Sequence, residues 1–512
     1  MKPNIFAAIH LGSEEINMKI IEYTSLADIK VIDECSYDIK LSEEAFQTGK
    51  ISFQKVNKVC EILKGYKLLL DEYKVTDYRI IATTAVREAE NQQYIIDQIL
   101  LKTGFEVEVI NLTQEIFYKY AALYRSISKN SLIKKQNAIL FMDISSGGLG
   151  FTLYKKDKIL YQQNMHIGAI RIKKAFEKNQ RESIYFFEAL TEYIYSIIKT
   201  VQQDIKNYDI KYLVLSGLET KLLLKMLKKE EEALNFISIE EFNNIYNEIK
   251  TSNLTQIMKN FSLKEDDAET VLPTLALYKE TLNLIDCKEI VISQDKLIDG
   301  LITFYIAYKT EDKLKYNLQE QILSLAREIA KKYNYDEPHC RAVEDFSLTL
   351  FDKLSKIHGM KERERFLLQV TAILHDVGKY VNLRKHYFYS YRLIISSDIV
   401  GCSKNEKDII ANAALYHSRI NPQKEHETYA PLSKKDRITV AKLSAILKIA
   451  NALDMSSRQK ITNLKIILKD DEMILKVKSN KSLNLEQWGF KARTEFFEQV
   501  FGFKVNLLIE AR

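Results

Sequence analysis

Residues 138–154 read AILFMDISSGGLGFTLY, and this stretch decides the fold that we predict for the first half of the chain. The apolar run at 138–144 predicts a buried strand, because runs of this length with β-branched and aromatic residues favour strands over helices. The glycines that follow predict a tight turn, and residues 150–154 predict a strand that returns antiparallel to the first. We expect a further antiparallel strand at 158–164.

The start of the chain has the same order of elements. A short apolar strand at Ile5–Ile9 runs into a His-Leu-Gly-Ser turn at 10–13, and the alternating segments Met18–Tyr23 and Val31–Tyr37 predict two further strands. Strands that alternate with helices follow in both regions, which is typical of α/β domains. Two units that both begin in this way predict a duplicated architecture with a cleft between its halves.

The glycine turns are candidate phosphate-binding loops. A strand that delivers Gly and Ser into a tight turn presents backbone N–H groups that can hold a phosphate. Taken alone, an ordinary β-hairpin turn is the alternative for each of them. The predicted phosphate-binding residues are Gly12, Ser13, Ser146, Gly147 and Gly148.

Histidines provide the second candidate site. The chain has eight, and one lies in the string ILHDVGK at 373–379. Imidazole and carboxylate groups that project from several helices toward one point form a divalent-metal site. We therefore predict His339, His375, Asp376 and Asp454 as metal ligands, with Lys379, His386 and His417 as possible additional members. The alternative is that these histidines are packing residues in a domain that has lost its metal.

The chain divides into four predicted domains. Two α/β domains occupy residues 1–127 and 128–310, a nearly continuous helical region occupies 311–460, and a small α/β module occupies 461–512. The first boundary precedes the second glycine-turn unit, and the last precedes a return to strands.

Composition places the chain among soluble globular proteins, with 46% hydrophobic and 28% charged residues in 512 and a net charge of +6. There is no run near the ~20 apolar residues that a membrane helix needs. The five cysteines form no regular spacing, which indicates reduced thiols. We therefore predict a cytoplasmic protein with no membrane or specific nucleic-acid partner.

Several segments together resemble one family, the exopolyphosphatase/guanosine-pentaphosphate phosphatase (Ppx/GppA) family, along nearly the whole chain. The matching strings are AAIHLGS (7–13), ATTAVREA (82–89), FMDISSGG (141–148), HIGAIR (166–171), AETVLP (268–273) and LIDGL (297–301), together with the segment around Glu115. The resemblance implies two actin-like (ribonuclease H-like) domains, as in actin-like ATPases, followed by an all-α HD-type domain and the small α/β module.

The resemblance also implies an activity. Family members hydrolyse the terminal phosphoanhydride of polyphosphate or guanosine pentaphosphate with a divalent metal, for which we expect Mg or Mn. It implies that Arg87 grips phosphate, Glu115 acts as catalytic base and Asp143 holds metal. The identity of the HD-site metal stays open, and we expect a homodimer that binds polyphosphate or a guanosine polyphosphate.

The chain departs from the family in both phosphate loops. His10 stands where the family has Asp, Glu14 and Glu15 stand where it has Asn and Ser, and Gly150 replaces an acidic residue. Loss of a general base alone costs about 10²–10⁴-fold in rate. Two functions therefore remain open: an exopolyphosphatase-like hydrolase with weakened phosphate loops, or a non-hydrolytic polyphosphate or guanosine-polyphosphate-binding regulator, in which any chemistry occurs at the HD-domain metal.

Overall fold

The computed structural model describes residues 3–129, 137–145, 147–181, 183, 185–217, 219–469 and 471–510. The chain forms two compact units, Met1–Ile322 and Leu323–Arg512. The predicted α/β first half and helical second half are confirmed in their secondary structure. The four domain boundaries stay predictions.

The first sheet of the first unit has the strand order β3-β2-β1-β4-β5. β1, β2 and β3 are antiparallel neighbours, whereas β4 runs parallel to β1 and β5 runs parallel to β4. Its strands are β1 (Asn4–Leu11), β2 (Glu15–Ser25), β3 (Asp28–Asp38), β4 (Tyr78–Ala82) and β5 (Glu108–Val109).

The second sheet repeats this plan in the order β10-β11-β9-β6-β7-β8. β6, β7 and β8 are antiparallel, β9 runs parallel to β6, and β11 runs parallel to β9. Its strands are β6 (Ala138–Ile144), β7 (Leu149–Lys155), β8 (Lys158–Met165), β9 (Ile210–Ser216), β10 (Leu234–Ser238) and β11 (Glu289–Ser293). The corresponding positions of β1 and β6 agree with the duplication predicted from the sequence.

The helices of the first unit pack around the two sheets. They are α1 (Leu41–Thr48), α2 (Phe53–Glu72), α3 (Thr84–Glu88), α4 (Gln92–Thr103), α5 (Leu112–Lys129), α6 (Ala169–Ala175), α7 (Lys178–Arg181), α8 (Phe186–Ile205), α9 (Glu219–Met226), α10 (Ile239–Thr251), α11 (Leu254–Phe261), α12 (Glu265–Asn283) and α13 (Leu297–Lys309).

Local sequence explains the central elements. All seven residues of β6 are buried, as expected for a strand covered on both faces. The N-cap of α2 is Ser52, whose side chain accepts a hydrogen bond from the backbone N–H of Lys55. The apolar stripe of α2, with Val56, Val59 and Leu63, packs against the first sheet.

The second unit is a helical body with a small sheet. Its helical elements are α14 (Lys313–Lys332, which begins in the first unit), α15 (Glu337–Lys353), α16 (Ser355–His358), α17 (Glu362–Leu374), a 3-10 helix (Val377–Tyr380), α18 (His386–Ser396), α19 (Lys404–Leu415), α20 (Lys434–Leu453), α21 (Asn484–Lys491) and α22 (Thr494–Phe501). The sheet has the order β12-β13-β14, formed by β12 (Ile461–Leu468), β13 (Glu472–Ser479) and β14 (Lys504–Ile509).

A close backbone approach fixes the start of α18. The 3-10 helix passes so near to α18 that a Cβ at Gly378 would collide with the backbone carbonyl oxygen of His386. The backbone N–H of Gly378 donates to Ser390 Oγ at 2.9 Å. The glycine therefore brings the His375–Asp376 pair close to α18.

Among the helices within the described ranges, none combines the length and the apolar character that crossing a bilayer requires.

Candidate functional site

A cleft of about 100 Å³ opens in the first unit where strand ends of the two sheets face each other. β1 and its turn contribute one wall, and the ends of β6 and β9 contribute the other. Residues on this lining include His10, Gly12, Ser13, Glu14, Glu15, Glu115, Lys119, Ser145, Gly217 and Lys221. The cleft predicted between the duplicated halves is therefore present, with both glycine turns at its edge.

The first glycine turn uses its polar groups internally. The Gly12 backbone N–H donates to the Glu15 carbonyl oxygen at 2.9 Å, and Ser13 Oγ accepts from the backbone N–H of Ala85 at 3.3 Å. His10 Nε2 lies 3.0 Å from Thr83 Oγ1. Burial lowers the pKa of His10 to about 4, so this imidazole is neutral at pH 7.

The two glutamates of the first turn are held by neighbouring side chains. Glu14 accepts a hydrogen bond from Ser42 Oγ, and burial raises the pKa of Glu14. Glu15 accepts from Asn17 Nδ2 at 2.6 Å and from Ser36 Oγ at 2.8 Å. These two carboxyl groups therefore take up polar side chains next to the turn that could otherwise bind an anion.

The second glycine turn is packed in a similar way. The Ser145 backbone N–H donates to the Gly148 carbonyl oxygen at 2.8 Å, and the Gly148 N–H donates to Ser145 Oγ at 3.1 Å. A Cβ at Gly147 would lie 2.6 Å from Thr84 Cγ2. Ser146 lies outside the described residues.

Position 150, where the family has an acidic residue, has no room for a side chain. A Cβ at Gly150 would collide with Cδ1 of Ile116 on α5. The volume beside β7 where an acidic side chain would point is thus filled by an apolar one.

The three predicted catalytic residues come together in one ionic network. Arg87 Nη1 donates to Glu115 Oε2 at 3.2 Å and to the Ile110 carbonyl oxygen at 2.9 Å, and Arg87 Nη2 donates to Thr84 Oγ1 at 2.9 Å. Asp143 lies nearby and accepts from Ser216 Oγ at 2.6 Å. The guanidinium of Arg87 is therefore engaged by three protein acceptors.

Lys119 joins these carboxylates, and sequence reasoning missed it. Its Nζ lies 2.9 Å from Asp143 Oδ2 and 3.9 Å from Glu115 Oε1. Burial favours the neutral amine, but the nearby Asp143 and Glu115 outweigh it, and the pKa of Lys119 is raised. The lysine is charged at pH 7. The one signal in the sequence was its i+4 spacing from Glu115 on a helix.

Glu219, at the start of α9, is a second residue that the sequence did not single out. Its Oε2 atom is buried without a hydrogen-bond partner. Burial raises the pKa of Glu219 to about 7, because the effect of Lys119 does not offset the loss of water. This carboxyl group lies near the network but is not paired within it.

The predicted metal-binding residues of the second unit form a separate cluster around Asp376. Four imidazoles direct Nε2 toward its carboxylate. The distances to the nearer Asp376 oxygen are 3.5 Å for His339, 3.5 Å for His375, 3.5 Å for His386 and 3.4 Å for His417. Lys379 Nζ forms an ion pair with Asp376 Oδ2 at 2.5 Å.

The other ring nitrogen of each histidine is fixed by an acceptor. Nδ1 of His375 donates to the Ala372 carbonyl oxygen at 2.7 Å, Nδ1 of His417 to that of Ala414, and Nδ1 of His386 to that of Leu383. Because a carbonyl oxygen can only accept, Nδ1 carries the proton and Nε2 presents its lone pair inward. This is the arrangement of metal-binding histidines.

His339 is oriented by a side chain instead. Its Nδ1 lies 2.9 Å from Asp454 Oδ2, and Asp454 also accepts from the backbone N–H of Gln459 at 2.7 Å. The structure therefore places Asp454 behind His339 rather than beside the inward-facing nitrogens. Burial lowers the pKa of His339, but the neighbouring carboxylates of Asp376 and Asp454 outweigh burial and raise it to about 9.

The donor atoms form two groups that share Asp376. His339, His375 and Asp376 form the first, and Asp376, His386 and His417 form the second. Oδ1 of Asp376 and Nε2 of His375 are buried without a hydrogen-bond partner, while Oδ2 of Asp376 pairs with Lys379. Buried unpaired donors of this chemistry fit divalent cations that accept imidazole and carboxylate ligands.

Comparison with known families matches almost the whole chain. Residues 20–307 match the Ppx/GppA phosphatase family, and residues 324–489 match domain III of Ppx/GppA phosphatases. The first match begins at residue 20, after the first glycine turn.

Similar proteins and structures agree with this assignment. The chain is 19% identical over 463 residues to a guanosine-5'-triphosphate,3'-diphosphate pyrophosphatase of Aeromonas hydrophila, covering 89% of the chain and 88% of that protein. It is 23% identical over 309 residues to a bifunctional 3-dehydroquinate synthase/phosphatase of Fusobacterium nucleatum, which covers 58% of the chain and only 44% of that protein.

Solved structures with a similar fold cover 60% of the chain. An exopolyphosphatase from Cytophaga hutchinsonii matches with a TM-score of 0.53, 19% identity and 98% of its own chain covered, and the Aquifex aeolicus Ppx/GppA family member matches with 0.52, 19% and 99%. With both family matches and these folds in agreement, the chain belongs to the Ppx/GppA phosphatase family.

Proposed function

We propose that this protein is a divalent-metal-dependent phosphohydrolase whose chemistry takes place at the histidine cluster of the second unit. We further propose that the cleft of the first unit binds a condensed phosphate with little or no turnover. The observation that carries the proposal is the buried Asp376 carboxylate, which faces four imidazoles. Its Oδ1 has no hydrogen-bond partner, and its Oδ2 pairs with Lys379.

The proposed metal ligands are His339, His375, Asp376, His386 and His417, with Asp454 orienting His339. A divalent cation held there would polarise a phosphoryl oxygen and make a bound water more acidic. The side chain of His386 is 17% exposed and that of Lys379 is 39% exposed, whereas the others are nearly closed to solvent. A phosphate would therefore approach from this side, where the Lys379 ammonium can neutralise its charge.

The geometry of the first cleft argues for binding without turnover. Arg87 would have to leave Glu115 before it could grip a phosphate, and Glu115 could act as a base only after losing that ion pair. The N–H groups of Gly12 and Gly148 are already bonded within their turns. Each of these contacts must be exchanged before a phosphoryl group can be stabilised, and phosphoryl transfer depends on positioning and charge.

The ligand class follows from the names of the similar proteins. They include a guanosine pentaphosphate pyrophosphatase and an exopolyphosphatase. We therefore propose polyphosphate or a guanosine polyphosphate as the ligand, and Mg²⁺ or Mn²⁺ as the first metals to test.

The experiment measures phosphate release from both compounds with Mn²⁺, with Mg²⁺ and with a chelator. We expect metal-dependent release that Asp376→Ala abolishes and Glu115→Gln leaves within about 3-fold. His166→Ala, which changes an exposed histidine of the first unit, is the control. If Glu115→Gln abolishes release while Asp376→Ala retains it, the chemistry occurs in the first cleft and the proposal is wrong.

A further inference from the structure

In the first cleft, the carboxylates of Asp143 and Glu115 are already paired with a positively charged side chain of the protein, that of Lys119. The ammonium of Lys119 lies 2.9 Å from Asp143 and 3.9 Å from Glu115, and the side chains of these three residues are 13%, 8% and 5% exposed. Lys119 is on α5, and Asp143 is the penultimate residue of β6. The ammonium lies between the carboxylates of Asp143 and Glu115, which would otherwise be available to a metal ion.

We propose that Lys119 replaces a divalent cation in this cleft, so that the cleft binds condensed phosphate without a metal. The inference rests on the proposed function for the identity of the anion only. The exclusion of the metal by Lys119 depends only on the residues of the cleft and not on the proposed function.

Space and charge both support the exclusion. A divalent ion such as Mg²⁺ must approach carboxylate oxygens to about 2.1 Å, and the Lys119 Nζ atom blocks this approach on the Asp143 side. Arg87 and Lys119 already balance the charges of Glu115 and Asp143. A dication added to this balanced network would have no carboxylate left to compensate its charge, and little water would screen its repulsion from Arg87 and Lys119.

A further donor for a metal has also been removed. The acidic residue expected at position 150 is glycine, and Ile116 occupies the adjacent space. Glu219 is the nearby carboxyl group without a hydrogen-bond partner on Oε2, and its raised pKa of about 7 indicates that it holds a proton for part of the time at neutral pH.

The test is a Mn²⁺ titration followed by electron paramagnetic resonance. It is made in the full-length Asp376→Ala protein, in which the histidine cluster has lost its shared ligand. We expect this protein to bind no Mn²⁺ in the cleft, and the added change Lys119→Ala to create one Mn²⁺ site. A third change, Asp143→Asn, should remove that site, and Lys221→Ala, another lysine that lines the cleft, should create none.

Polyphosphate binding provides the second arm. With Lys119 intact, affinity should be equal in Mn²⁺ and in chelator. With Lys119→Ala, affinity should fall at least about 10-fold in chelator, as for a lost charged hydrogen bond, and Mn²⁺ should restore it.

Two results would overturn the proposal. One is Mn²⁺ binding with Lys119 intact that Asp143→Asn abolishes, and this comparison decides the matter even if Lys119→Ala does not fold. The other is a folded Lys119→Ala protein that gains no Mn²⁺. Failure of the proposed function is seen separately, as unchanged metal content between wild type and Asp376→Ala.

Discussion

Replacing Glu219 with Gln tests the electrostatics of the first cleft through stability. Burial raises the pKa of this carboxyl group from 4.5 to about 7, while Lys119 acts in the opposite direction and Asp143 and Glu14 add to the increase. Between these pH values the folded protein binds a proton that the unfolded chain does not. The free energy of unfolding therefore decreases as the pH rises from about 4.5 to about 7, and levels off above that.

The size of the effect follows from the shift. Each pKa unit corresponds to about 1.4 kcal/mol, so a rise from 4.5 to about 7 corresponds to at most about 3.5 kcal/mol. Glu219 is partly exposed, and screening by water reduces this to about 1–3 kcal/mol. Gln has nearly the same shape and does not ionise. The difference in free energy of unfolding between the Glu219→Gln protein and the wild type should therefore be about 1–3 kcal/mol more favourable to the variant at pH 8 than at pH 5.

Urea unfolding of both proteins at pH 5 and pH 8, followed by circular dichroism, measures this difference. The matched control is Glu232→Gln, which changes an exposed carboxylate of the same unit and should shift the stability equally at both pH values. An equal Glu219→Gln effect at pH 5 and pH 8 would refute the argument that burial holds a proton on this residue.

The remaining predictions concern the family departures and the histidine cluster. Gly150→Glu alone should destabilise the protein by about 1–3 kcal/mol through overpacking, and adding Ile116→Ala should recover most of the loss in a thermal melt; no recovery would mean that Ile116 is not the obstacle. Asp454→Asn should weaken metal binding about 10–100-fold by releasing His339, measured by calorimetry, and unchanged affinity would exclude this positioning role. Gly378→Ala should abolish stoichiometric metal binding in metal analysis, because the methyl group cannot fit; full metal content would contradict the close approach seen here.

The parts of the fold with strong local patterns could be predicted from the sequence. The strand predicted at 138–144 is β6 (Ala138–Ile144), and the strand predicted at Ile5–Ile9 lies within β1 (Asn4–Leu11). The short helices α1 and α3 were missed because eight and five residues carry too little periodicity.

The candidate sites were less predictable where the side chains that pair come from positions far apart in the sequence. The histidine cluster was partly visible, because histidine is rare in this chain and the His-Asp pair draws attention. Lys119 was not, because the sequence has 75 basic residues and the partner Asp143 lies 24 positions away on another element. The raised pKa of Glu219 depends mainly on burial, which no short pattern encodes.

The way the histidines are held has a consequence for how this domain can vary in sequence. His375, His386 and His417 each bond the carbonyl oxygen three residues earlier in the chain. Every amino acid supplies such a carbonyl, so substitutions at those three supporting positions can accumulate while the rings keep their direction. His339 depends on a carboxylate 115 residues away, and it is the one of the four whose aim a single distant mutation can change.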